Sequence, residues 1–293
     1  MKSSYLTNLI LLVIVIALLW LTQHDNQETE PAPSLSELTA DDVTQILIQR
    51  GDKPQIELKR EQDGWFLITP FTARANETRI KLLLSLLSSP LHGQFQPLAK
   101  DSLGQFGLSQ PQIKMSMNGQ TFAFGQVESL SQHRYVLHND MIYLIQDDVT
   151  PLLTANATSF IENRLLAENE QIRRLKIPMY NSEQSHFSRF VDISQSQGQW
   201  QSDDSKLSSD SLKTLVDSWQ HAYAMHVSYL SVEQLELLPQ PQIQLWLQGN
   251  AEPMQLIITL TEQNLLLTNP DTQLQYSFPL ALRAQLLPSH KAP

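Results

Sequence analysis

No cysteine occurs in the 293 residues, so neither a disulfide framework nor a thiolate metal site is open to this chain. That absence suits an oxidising compartment, although many cytosolic domains lack cysteine too. Positive charge is scarce: 20 Lys and Arg stand against 30 Asp and Glu, a formal net charge of −10. Neutralising a nucleic-acid backbone takes clustered cations, so the balance argues against DNA or RNA as a partner. The densest basic stretch, Arg173-Arg174-Leu175-Lys176, reads as exposed positions of a strand. No glycine precedes a lysine and no Gly-x-Gly-x-x-Gly occurs, which removes the phosphate-cradling loops. The close glycine pair in Gly104-Gln105-Phe106-Gly107 reads as a turn after a short helix over Leu98 to Leu103.

Signals for metal and acid–base chemistry are equally thin. The eight histidines include no His-Glu-x-x-His and no pair four apart. His133 and His138 fall on opposite faces of one predicted strand, while His221 and His226 flank a helix end and a strand start; all four read as solvated or core-edge groups. The pairs Asp41-Asp42, Asp147-Asp148 and Asp203-Asp204 each precede a predicted helix, where acidic groups favour the positive end of the dipole. No Gly-x-Ser-x-Gly elbow or Ser-x-x-Lys marks a nucleophile. No catalytic, cofactor-binding or metal-ligating residue is therefore assigned, and no cofactor is expected.

What the chain does have is a long apolar run. Leu9 to Leu21 carries no polar residue, and with its flanks gives a segment, residues 5–22, of roughly 18 residues or about 27 Å as a helix, enough for a bilayer core. Tyr5 and Trp20 lie near its ends, where amphipathic aromatics favour headgroups. The run exits through Leu19-Trp20-Leu21-Thr22-Gln23-His24, without the small residues a signal peptidase needs, so an uncleaved anchor is favoured over a signal peptide. Lys2 precedes it and Asp25, Glu28, Glu30, Glu37, Asp41 and Asp42 follow, which orients the N-terminus inside and the bulk outside. The expectation is a single-pass protein of a cell inner membrane, with residues 1–22 as cytoplasmic tip and anchor and a periplasmic C-terminal domain.

Residues 23–35 form a polar, Pro-bearing linker, after which strand and helix signals alternate. Ile46, Ile48, Ile56 and Leu58 alternate with polar residues as two half-buried strands, and Gly64 to Thr69 reads as a third. Asn76 is a candidate N-cap for a helix running to about Ser89, with Ile80, Leu83, Leu84 and Leu87 on its buried face. Strands over 112–117, 121–124, 134–138 and 141–145 follow, with Asn118-Gly119 and Asn139-Asp140 suited to two-residue hairpins. A second pass in the same order begins near Ile172: strands 173–177 and 187–193, Gln199-Trp200, then a helix capped by Ser208 or Ser209 and carrying Leu212, Leu215, Val216 and Trp219. Strands 242–247, 254–260, 265–268 and 273–278 close it. Pro111-Gln112-Ile113 through Gly119 aligns with Pro241-Gln242-Ile243 through Gly249, each half has a Trp before its helix (Trp65, Trp200), and each has a late Tyr (Tyr143, Tyr276). Internal duplication is one explanation and convergence of two α+β halves the other. The predicted fold is α+β: the N-terminal transmembrane helix, then two similar units over 36–168 and 169–293, each a mainly antiparallel sheet with a packed helix.

Gly64-Trp65-Phe66-Leu67-Ile68-Thr69-Pro70, the leucine-rich helix, Phe106-Gly107-Leu108-Ser109-Gln110-Pro111, His133-Arg134-Tyr135-Val136 and Met141 to Ile145 together resemble the uncharacterised family named domain of unknown function 4340. The similarity covers residues 44 to 165 well and the second half more faintly, where Leu235-Glu236-Leu237-Leu238-Pro239 replaces the Phe-Gly-Leu element. The resemblance implies a bacterial, N-terminally anchored envelope protein; relatives are often associated with ATP-binding-cassette transporters and with gliding-motility-like auxiliary proteins. The family brings no catalytic residues, so Trp65, Phe106, Gly107 and Leu108 are read as packing and turn residues. The function expected is a non-enzymatic accessory or scaffold subunit of an envelope complex, transporter-associated in kind, with an envelope protein such as a permease as its partner. Two alternatives stay open: an envelope hydrolase whose site is invisible in sequence, and a small-molecule or lipid-binding module.

Overall fold

The computed structural model describes residues 11–17, 20, 34–97, 100–181, 186–240 and 242–288. Of the apolar N-terminal run, residues 11–17 and 20 are helical and exposed; the rest of the expected anchor over 5–22, and most of the linker over 23–35, lie outside the described residues. Among the described residues no helix is long and apolar enough to cross a membrane.

The first half runs β1 (Gln45–Arg50), β2 (Lys53–Glu61), β3 (Gly64–Thr69), β4 (Ala73–Arg74), α1 (Glu77–Leu84), β5 (Leu91–Phe95), β6 (Ile113–Met117), β7 (Gln120–Val127), β8 (Arg134–His138), β9 (Met141–Ile145) and α2 (Thr150–Thr154). The second runs β10 (Ile172–Asn181), β11 (His186–Ser196), β12 (Gln199–Ser202), α3 (Ser209–Gln220), β13 (His226–Tyr229), α4 (Val232–Glu236), β14 (Ile243–Leu247), β15 (Met254–Leu260), β16 (Asn264–Asn269), β17 (Leu274–Pro279) and α5 (Arg283–Leu286). The strands are mostly antiparallel sheet with a few helices, an α+β fold.

The chain divides into a larger compact unit (residues 43–83, 112–121 and 149–293) and a smaller one (1–42, 84–111 and 122–148). In the larger unit one run of strands has the order β4-β3-β2-β1-β6, and a second sheet has the order β12-β11-β10-β14-β15-β16-β17-β13. The smaller unit holds the run β7-β8-β9-β5. Both runs of the first half recur in the second: β3-β2-β1-β6 corresponds to β12-β11-β10-β14, and β7-β8-β9-β5 to β15-β16-β17-β13. The correspondence is detailed. The strands β6 and β14 start at Ile113 and Ile243, two residues after Pro111 and Pro241. The Asn118 N–H donates to the Gln45 carbonyl at 3.1 Å, and the Gln248 N–H to that of Gln171 at 2.8 Å.

The period-two patterns explain which faces are buried. On β1 and β2, Ile46, Ile48, Ile56 and Leu58 have no exposed surface, and Ile46 and Ile48 stand opposite Met117 and Met115 of β6. Asn118 and Gly119 have φ of 46° and 86°, the left-handed pair a two-residue hairpin turn needs. The Asn118 Oδ1 also accepts from the Thr44 and Gln45 N–H groups, tying the turn to the entry of β1. Asn76 caps α1 by accepting from the Arg79 N–H at 3.1 Å, and Ser208 caps α3 through the Ser211 N–H at 3.2 Å. The helix expected to reach Ser89 is α-helical only to Leu84; residues 85–88 tighten into a 3-10 turn that still buries Leu86 and Leu87. The short helix expected over 98–103 is a 3-10 helix at Lys100–Phe106. On α3, Leu212, Leu215, Val216 and Trp219 are buried, and the helix packs on β12, β10 and α5.

Candidate functional site

The histidines and acidic pairs do not assemble a catalytic centre. His138 is buried and stacks on Phe122 at 4.3 Å between ring centroids; His133, just before β8, stacks on His92 at 3.8 Å. His221 ends α3, with its Nδ1 2.9 Å from the Asp217 carbonyl, and His226 begins β13 exposed. Asp147 precedes α2 as expected and pairs with Arg134 at 2.7 Å. Asp204 is buried before α3, pairs with Arg189 and accepts from the Lys206 N–H. Asp41 and Asp42 depart from expectation: they sit in a turn that leads into β1, a strand, where Asp42 accepts from the Thr39 hydroxyl. Among the described residues no group of three or more His, Asp or Glu could hold a metal ion.

The packing role expected of the Phe-Gly-Leu element is visible. Leu108 is 2% exposed in a cluster with Ala123 and Ile142, flanked by Phe106, Tyr135 and Leu137. Gly107 has φ +70°, and the element lies so close to Gly125 that a Cβ there would meet the Phe106 carbonyl and Leu108 Cγ at under 3.0 Å.

Two concavities among the described residues lie elsewhere, around the connecting segment 161–170 of the larger unit. That segment is pinned by backbone pairing: Ala75 bridges Ile161, the Glu162 N–H donates to the Arg74 carbonyl at 2.9 Å, and Arg164 bridges Tyr223. On one side is a groove of about 640 Å³, floored by Gly64 and Trp65 of β3 and walled by the start of α1. It is strongly polar: Asp63, Glu77, Glu162 and Glu168 face Arg74, Lys81 and Arg164, with Tyr223 at the rim. Arg164 pairs with Glu168, four residues on.

On the other side is a chamber of about 230 Å³ that shares Arg74, Glu162 and Arg164 with the groove. Its remaining wall is β16 and β17, through Asn269, Leu274 and Tyr276, and its apolar side includes Phe66, Ile161 and Leu165. Burial pushes the Tyr276 hydroxyl up to about 12, partly opposed by the Arg74 charge, while Glu162 and Glu170 push the same way as burial. At neutral pH Tyr276 is thus a phenol, able to donate a hydrogen bond. Sequence reasoning noted Tyr276 only as a repeated strand residue and missed Arg74, Glu162, Arg164 and Tyr223. Arg74, the neighbours Glu162 and Arg164, and Tyr223 come from three distant parts of the chain, so no local motif could have joined them.

Against known proteins, a family model described as domain of unknown function (DUF4340) matches residues 65–238. The match begins at Trp65 on β3 and runs past residue 165 through α3 and α4, well into the half where the resemblance had looked faint. No curated protein and no solved structure matches.

Proposed function

This chain belongs to the DUF4340 family, and from that premise we propose that it is a non-enzymatic accessory or scaffold subunit of a bacterial envelope complex. In this reading residues 5–22 anchor it in the inner membrane with the N-terminus in the cytoplasm. The domain beyond them, in the periplasm, binds an envelope protein, such as a permease of a transporter. The coinciding strand orders and the matched Pro-Gln-Ile segments support descent of the two halves from one duplicated unit.

The observation that carries the partner-binding reading is the groove of about 640 Å³. Both signs of charge line it, several of these side chains are exposed, and Tyr223, 55% exposed, supplies aromatic surface beside them. A surface of that kind suits a polar protein contact in which charge complementarity sets orientation and partner choice.

Crosslinking in intact cells, detergent extraction, capture of the tagged chain and mass spectrometry test it. Capture of a permease or other envelope protein by the wild type, and its loss in the double charge reversal Glu77→Lys with Lys81→Glu, is the expected result. Both residues are exposed, so the reversal leaves the core intact. Recovery of the chain alone, or the same partner recovered despite the reversal, would overturn the groove as the binding surface. Replacing residues 1–22 with an unrelated anchor preserves function if the helix only tethers.

A further inference from the structure

The chamber beside the groove brings opposite charges to one space without pairing them. Arg74 is half-buried and forms no ion pair among the described residues. Glu162 and Glu170 line the same space, each fixed by one carboxylate oxygen that accepts from a backbone N–H, of Arg164 at 3.0 Å and Ala167 at 2.7 Å. Each keeps a second oxygen. The Tyr276 ring is 9% exposed, and its hydroxyl has no hydrogen-bond partner among the described residues. The Arg74 guanidinium and the Tyr276 hydroxyl line this space with no protein partner among the described residues, so a ligand can take up their donors in place of water.

We propose that this chamber binds a small zwitterion, an amino acid or dipeptide with an aliphatic side chain. Its carboxylate meets Arg74 and the Tyr276 hydroxyl, and its ammonium meets Glu162 and Glu170. At about 230 Å³ the space is smaller than the pockets that enclose drug-sized ligands and suits an occupant of this size class. Phe66, Ile161, Leu165 and Leu274 give an aliphatic side chain an apolar wall. A ligand with one charge only leaves either the cation or the carboxylates desolvated and unmatched, so the site selects for both. The inference stands apart from partner binding at the groove and survives its failure.

The test is calorimetric titration of the full chain in detergent with L-alanine, L-leucine and alanylalanine, beside N-acetylalanine and alaninamide as single-charge controls. Saturable binding of at least one zwitterion is expected, with either blocked form about tenfold weaker or more. Arg74→Gln removes the preference for a free carboxylate, Arg74→Lys retains part of it, and Tyr276→Phe weakens binding several-fold while leaving the ammonium preference. The blocked ligands decide the matter on the wild-type chain even where a variant misfolds. No saturable binding by any of the three zwitterions, or equal affinity for the blocked forms, overturns the proposal.

Discussion

Alanine at position 125 tests the closest approach made at any of the glycines. Gly125 lies on β7 where its pairing with β8 shifts register between Phe124 and Val127, and the Arg134 guanidinium hydrogen-bonds its carbonyl. A Cβ built there sits 2.9 Å from Leu108 Cγ and 3.1 Å from Leu108 Cδ2, with the Phe106 carbonyl oxygen closer still. Leu108 could change rotamer, but the carbonyl is backbone and its segment is held by the Leu108 N–H bond to Leu103 at 3.0 Å. Forcing atoms into a filled core costs about 1–3 kcal/mol, and a backbone obstacle places this site at the upper end. The entropy that alanine removes from the unfolded chain returns about 0.4–1 kcal/mol. Gly125→Ala is therefore expected to destabilise by about 2 kcal/mol. Gly93→Ala is the control: its nearest atom, Leu144 Cβ, is 3.8 Å away, so only the entropic gain remains. Urea unfolding followed by tryptophan fluorescence measures both, and the melting temperature of Gly125→Ala should drop by about 4–8 °C. Hydrogen exchange at Gly107 and Leu108 should accelerate in Gly125→Ala if the Phe-Gly-Leu element lifts from the sheet. Stabilities for the two variants within about 0.5 kcal/mol of each other would refute the packing argument, since surface-like substitutions fall in that range.

Trp219→Phe should lower stability by about 2–4 kcal/mol: the indole is fully buried, its Nε1–H donates to the Leu286 carbonyl at 2.7 Å, and the smaller ring leaves both a void and an unpaired acceptor. A shifted urea midpoint at unchanged slope is the check. Hydrogen bonding from Arg174 holds the Asp192 carboxylate below its usual range, against the opposing effect of burial. Because the folded-state value is depressed, the stabilisation is present above the ordinary value of 3.8 and is lost as pH falls through the folded value. Wild type should exceed Asp192→Asn at neutral pH, the gap closing below about pH 4; a gap independent of pH would show that the ion pair is not its source. Tyr276 has the opposite sign. Between its ordinary value of 10.0 and about 12 the unfolded chain loses the phenol proton while the folded one keeps it, so stability falls with rising pH. Tyr276→Phe should lack that part of the alkaline decline, a difference of roughly 2–3 kcal/mol by pH 12 in urea titrations.

Much of the local structure was legible because it depends on neighbouring residues. Three-four spacing marked the buried faces of α1 and α3, period two marked β1, β2 and β14, and the Asn-Gly pair fixed the turn after β6. The strands missed are those whose burial comes from elsewhere in the chain. β4 is two residues long, and β5 (Leu-His-Gly-Gln-Phe) shows no apolar alternation because it lies at the end of its run, against β9 alone. Asp41 and Asp42 were assigned to a helix start on composition, but short acidic pairs serve turns as readily.

By itself the sequence determined most of the segments that become strands or helices, which side of those is apolar, and the family to which the chain belongs. Only the tertiary structure decided that β1 lies between β2 and β6, that the second half repeats this order, and that Arg74, Glu162 and Tyr276 share one chamber. The first set of facts rests on backbone periodicity and turn chemistry among residues a few positions apart. The second rests on contacts between residues as distant as Arg74 and Tyr276, set by which apolar faces cover one another, and no spacing along the chain encodes them.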